Sequence, residues 1–245
     1  IWARRKWPTL LLVVAFIVLA LSLAPVVERA PGPAVPTVIA GGFRQLAHTA
    51  RKVRQLRYVF LFLLAYWLYI DGVDTIVRMA VDYGMALGFS SDNLITALLI
   101  TQFIGFPAAI GFGMLGKRIG AKPAIMLGLT TYFIVIVWAY FMDQVAEFYG
   151  IAVVIGLVQG GVQSLSRSLY ARLIPPEQSA EFFGFYNMLG KFAAILGPLL
   201  MGAVGLLTGS SRLAILSISI FFLAGGLLLW QVNVKSAQAM VQPSG

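Results

Sequence analysis

The stretch YVFLFLLAYWLYIDGVDTIVRMAVDY, residues 58–83, decides the fold. It is long and apolar enough to cross the ~30 Å hydrocarbon core of a bilayer as a single helix. Working outward, comparable apolar blocks lie at 8–27, 93–115, 123–142, 149–172, 182–207 and 212–231. The whole chain is 60% hydrophobic and 11% charged over 245 residues, with a mean hydropathy of +0.88. Soluble chains run at about 45–50% apolar and about 25% charged, so a water-soluble domain is excluded. The expected fold is an all-α integral membrane protein with seven transmembrane helices.

One connection is not short. Residues 28–57 open with Glu28-Arg29-Ala30-Pro31-Gly32-Pro33, a flexible, proline-punctuated linker. Phe43, Leu46, Ala47, Ala50 and Val53 then recur at helical spacing among basic residues, the pattern of an interfacial amphipathic helix or of a solvated linker helix. The net charge of +9 does not form one field, because apolar blocks separate the cations, so nucleic acid is not an expected partner. The cations sort by membrane side instead. Arg29, Arg44, Arg51, Lys52, Arg54, Arg57, Lys117, Arg118, Lys122, Arg172 and Lys235 fall on one side, against Arg4, Arg5, Lys6 and Arg212 on the other. The richer side is expected to be cytoplasmic, with the 28–57 loop and the C-terminus there. The chain would then start outside, which suits a protein with several spans upstream of residue 1. The expected organisation is a last helix of an N-terminal half at 1–27, a basic central loop at 28–57, a six-helix half at 58–235 and a tail at 236–245. A missing N-terminal half is an expected partner, as is the lipid bilayer.

Gly113-Met114-Leu115-Gly116-Lys117-Arg118-Ile119-Gly120-Ala121-Lys122 joins two spans. Gly113 and Gly120 would permit close helix approach and a tight turn, and Lys117, Arg118 and Lys122 would anchor the loop at the cytoplasmic face. The segment resembles the G-x-L-x-x-R-x-G-x-K/R loop of the major facilitator superfamily, without that loop's usual acidic residue. Residues 65–75 (AYWLYIDGVDT), 160–168 (GGVQSLSRS) and 183–191 (FGFYNMLGK) carry a closer likeness. Together they resemble the vacuole effluxer family of that superfamily, which contains fungal vacuolar amino-acid effluxers and bacterial relatives. The resemblance covers roughly residues 8–231 and implies helices six to twelve of a twelve-helix secondary transporter. It further implies a small polar solute, amino-acid efflux first, moved by alternating access across the plasma (inner) membrane of a bacterium. Sugars, drugs or other metabolites are the alternative cargo.

Polar residues within spans need a reason, since a charge at mid-bilayer costs roughly 3 kcal/mol or more. Asp71 sits ~20 Å along its helix and precedes Gly72, where a helix can loosen, making it the candidate for proton coupling. Asp74 and Arg78, at i and i+4, read as a structural ion pair. Lys191 lies ~15 Å deep, beside Gly190 and Gly197-Pro198, which should thin and kink its helix. It would meet a substrate anion or pair with Asp71. Gln102, Gln159, Gln163 and Asn187 lie at similar depth; each amide donates and accepts, which suits a zwitterionic ligand or equally an inter-helix bond. Tyr66, Tyr69 and Tyr186 could supply hydroxyls or aromatic walls. Arg167 and Arg172, near the end of their helix, suggest gate or loop contacts.

Other chemistry finds little footing. Asp71-Gly72 with Asp74 and Asp82 superficially suits a metal-dependent lipid transferase, but Thr75-Ile76 breaks that pattern. With no cysteine and a lone histidine, His48, neither a cysteine or histidine metal cluster nor an H-E-x-x-H site can form. No phosphate-binding G-x-x-x-x-G-K-[ST] occurs, and no cofactor is expected. A non-transporting scaffold would carry the insertion cost of its buried charges to no purpose.

Overall fold

The computed structural model describes residues 49–241. The predicted span at 8–27 and the loop up to residue 48 lie outside the described residues, as do residues 242–245. Every regular element among the described residues is helical: α1 Arg57–Ala86, α2 Ser91–Ile119, α3 Ala121–Phe141, α4 Val145–Ala171, a 3-10 turn Pro176–Gln178, α5 Ser179–Phe192, α6 Leu196–Thr208, α7 Ser211–Ser217, α8 Ser219–Gln231 and α9 Val234–Val241. Six stretches are long and apolar enough to cross a membrane: α1 to α4 singly, then Pro176–Thr208 and Ser211–Gln231. They coincide with the last six predicted spans, with ends shifted by a few residues. A helix is the required form because lipid offers the backbone no hydrogen-bond partners.

Gly120 is the sole residue between α2 and α3, and its φ of 94° is open to glycine and rarely to other residues. Gly113 behaves otherwise than expected. A Cβ there would meet open space, and the close approach falls at Gly116, where a Cβ would collide with Leu165 of α4. Gly156 and Gly160 of α4 form a further small-residue seam, with Thr101 and Ala109 of α2 against them. Gly72 does not loosen its helix either. α1 runs unbroken through it, and the missing side chain makes room for the Phe222 ring of α8.

The break lies in the fifth span, at residues 193–195 between α5 and α6. Its cause is Pro198, whose ring would strike the carbonyl of residue 194 in a continuous helix and which has no N–H to give. Just before α1, residues 49–55 are helical and pack on the bundle. Val53 is buried, and Lys52 Nζ donates to Gln178 Oε1 at 3.0 Å and pairs with Glu181 Oε2 at 3.2 Å, while Thr49 bonds Glu181 Oε1. The segment expected as a tail from 236 includes part of α9, whose Ala237 is buried and whose first turn is capped by Asn233 Oδ1 accepting from Ser236 N–H at 3.1 Å.

Candidate functional site

Three helix stripes converge on one polar cleft of about 420 Å³. α1 contributes Tyr66 and Ile70. α4 contributes Gly160, Gln163, Ser164 and Arg167, spaced so that they share one face, and α5 contributes Tyr186, Asn187, Gly190 and Lys191 on another. Gln163, Ser164, Arg167, Asn187 and Lys191 are all exposed, in a bundle whose other exposed residues include Leu206 at 90% and Phe103 at 78%. A stripe of exposed amides and cations at this depth cannot face hydrocarbon cheaply, so it faces water or protein.

The floor of the cleft is aromatic. Tyr66 and Tyr186 stack at 4.2 Å between centroids, and Tyr170 stacks on the other side of Tyr186 at 4.9 Å. Gly190 lets the Tyr66 hydroxyl approach; a Cβ there would lie 3.3 Å from it. Arg167 spreads its guanidinium 5.3 Å from the Phe183 ring centroid, a cation–π contact that holds the head group near the cleft wall. Beneath them Tyr69 is fully buried and bonds Ser166 Oγ at 2.6 Å. Ser166 spends its own proton on the Val162 carbonyl at 2.6 Å, so Tyr69 is the donor. The cleft lining carries two cations and no carboxylate.

Asp71 does not line the cleft. It is fully buried, and its Oδ1 and Oδ2 accept the backbone N–H groups of Gly197 at 3.0 Å and Leu196 at 3.1 Å, with Thr75 Oγ1 at 3.4 Å. These N–H groups are the ones the break exposes at the start of α6. A carboxylate there satisfies them and complements the positive end of the helix dipole. Gly197 is required: a Cβ would drive into Thr75.

Of the residues singled out in the sequence, Tyr66, Gln163, Tyr186, Asn187 and Lys191 meet in the cleft, while Gln102, Gln159 and Tyr69 are not among its lining. Lys191 and Asp71 form no ion pair. Asp74 and Arg78 share a helix face without closing into one, the ion pairs among the described residues being Lys52–Glu181 and Arg212–Asp143. Asp74 is half-buried and Arg78 exposed. Lys117 and Arg118 are exposed in the last turn of α2. Lys122 turns away from the loop and donates to the carbonyls of Trp230 and Val232, both at 2.8 Å, closing the C-terminal end of α8. Arg167, read from the sequence as a gate or loop contact, also lines the cleft, as does Ser164, which was not singled out; the spacing of Arg167 four residues beyond Gln163 was the available signal.

These features define a multi-pass helical membrane protein with a cationic, amide-lined cleft beside a broken helix. The chain belongs to the family described as vacuole effluxer Atg22 like, which it matches over residues 6–242. Among its relatives is the uncharacterized MFS-type transporter YxiO of Bacillus subtilis (strain 168), 44% identical over 194 residues, covering 79% of this chain and 45% of that protein. Autophagy-related protein 22-1 of Aspergillus terreus is 27% identical, covering 85% of this chain and 39% of its own. Autophagy-related protein 22 of Pichia angusta is 29% identical, covering 80% and 37%. The chain thus spans less than half the length of each of these relatives.

Proposed function

We propose that this chain forms the C-terminal half of a secondary transporter of the major facilitator type, with the cleft as its half of a mid-membrane solute site. The carrying observation is the exposed polar stripe of Gln163, Arg167, Asn187 and Lys191 on an otherwise apolar bundle. In this reading an N-terminal half covers the stripe, and the two halves rock about the site in alternating access. The solute is small and polar, with an amino acid as the leading candidate from the family's fungal members. Lys191 and Arg167 receive its carboxylate, the amides its remaining polar groups, and Tyr66 and Tyr186 its apolar side. The 28–57 loop and C-terminus are cytoplasmic, and the membrane is the plasma membrane of a bacterium.

Asp71 couples a proton through α6 rather than through the solute. A proton on its carboxyl would cancel the charge that holds the Leu196 and Gly197 N–H groups, loosening the second half of the broken helix. The test is paired uptake and counterflow with the full-length protein, normalised to folded protein. Lys191→Ala should weaken amino-acid binding at least tenfold, and Lys191→Arg should restore it only in part, because a planar fork replaces a point charge. Asp71→Asn should lose uphill accumulation while keeping downhill exchange. Wild-type accumulation by Asp71→Asn together with wild-type affinity in Lys191→Ala would refute the reading.

A further inference from the structure

Away from the cleft, at the membrane face where α3 begins and α4 and α8 end, lies a second pocket of about 600 Å³. Lys122, Arg172 and Lys235 line it, and no Asp or Glu does. Arg172 and Lys235 are exposed. Trp230, 71% exposed, stands in its wall. The same Trp230 also lines an apolar groove of about 260 Å³ between α3 and α8. On α3 the groove follows Met126, Leu129 and Phe133 upward from Pro123 of the pocket, in steps of three and four along one helix face. On α8 Leu227 and Gly226, three and four residues before Trp230, and then Leu223 continue the groove along one helix face. From Pro123 to Phe133 the groove rises ~15 Å, about half the hydrocarbon core.

We infer that this pocket and groove form one binding site for an anionic phospholipid, the phosphate held by Lys122, Arg172 and Lys235 and one acyl chain lying between α3 and α8. Charge complementarity and continuity select this occupant. A soluble anion would use the pocket and ignore the groove, and a zwitterionic lipid would bring a cation into a field of three others. The tryptophan marks the depth at which head group gives way to chain, where such rings settle in membranes. No residue is shared with the solute cleft, so the site stands whatever the cargo.

The test uses the full-length protein in detergent, titrated with phosphatidylglycerol or with phosphatidylcholine of the same chains and read by native mass spectrometry. Lys122 is left intact because it closes the end of α8. Arg172→Gln with Lys235→Gln should lower phosphatidylglycerol affinity roughly 30-fold, about one order of magnitude per 1.4 kcal/mol with each cation worth near 1 kcal/mol, and leave phosphatidylcholine unchanged. Gly226→Leu should fill the groove and weaken the phospholipid without touching the cations. Leu223→Trp, on the exposed groove wall, does the same if the glycine variant folds poorly. Equal retention of the two lipids by the wild-type protein, or undiminished phosphatidylglycerol binding in the double variant, overturns the inference. So does inorganic phosphate displacing the phospholipid at equal concentration, which would assign the pocket to a soluble anion.

Discussion

Gly197 is where the fifth span meets α1, and its hydrogen side chain decides how close they come. Adding a methyl group there drives it into Thr75, so Gly197→Ala should destabilise by about 1–3 kcal/mol. Thr75→Ala in the same protein removes the hydroxyl and should recover part of that loss. Asp71 acts at the same contact. Asp71→Ala leaves the N–H groups of Leu196 and Gly197 buried without an acceptor, a penalty of about 1–3 kcal/mol. Asp71→Asn keeps one carbonyl oxygen to accept with, so it should fall between wild type and alanine. Thermal melting in detergent gives the order; an Asp71→Ala protein as stable as wild type would remove the carboxylate from the cap. Asp74→Asn should cost less than either, since Asp74 is half-buried and holds no ion pair among the described residues.

At the scale of elements, the six spans among the described residues were legible because composition alone forces them, and a kink in the fifth was legible from Gly197-Pro198, though the full break was not. Nor was what holds the break. Asp71 and Gly197 are separated by 126 residues, and no local pattern announces a carboxylate capping another span. Depth along a helix can be counted in a sequence, but rotation about its axis depends on the neighbours. That is why Gln163, Asn187 and Lys191 reach the cleft while Gln102, at comparable depth, does not line it. Arg167 reaches the cleft from near the end of α4 because it shares a helix face with Gly160, Gln163 and Ser164. The docked helical segment 49–55 shows the same limit: its apolar face was readable, but its partner Glu181 lies far along the chain. Lys52 and Glu181 are 32% and 20% exposed at the side chain, so their bond should contribute only about 0–1 kcal/mol. Lys52→Gln should therefore leave the melting temperature within a degree or two. It should still speed tryptic cleavage at Arg51 and Arg54, because the docked helix loses one of its ties. Unchanged cleavage rates would mean that Val53, its apolar neighbours and the Thr49–Glu181 bond hold the segment without Lys52.

Across the whole molecule the helix ends sort into two faces, and side-chain bonds tie each face together. On one, Lys52 reaches Gln178 and Glu181, and Lys122 reaches the end of α8. On the other, Arg212 pairs with Asp143 and donates to the carbonyls of Tyr140 at 3.3 Å and Met142 at 3.1 Å. The first face also carries Arg51, Arg54, Lys117, Arg118, Arg172 and Lys235, whereas the second carries Arg212. Basic residues in short loops are retained in the cytoplasm, so the proposed orientation has the first face there. The chain contains no cysteine, so a single introduced thiol reports without background. Positions 117 and 235 suit the cytoplasmic face and 143 and 208 the opposite one; Lys122 and Arg212 are avoided because each holds backbone carbonyls. In intact cells an impermeant maleimide should label cysteines at 143 and 208, and those at 117 and 235 should react only after the membrane is opened. An even number of crossings separates 117 from 235 and an odd number separates 117 from 143. Labelling of 117 and 143 from the same side would therefore break the six-span path through α3, whereas inversion of all four sites would preserve the path and reverse only its orientation.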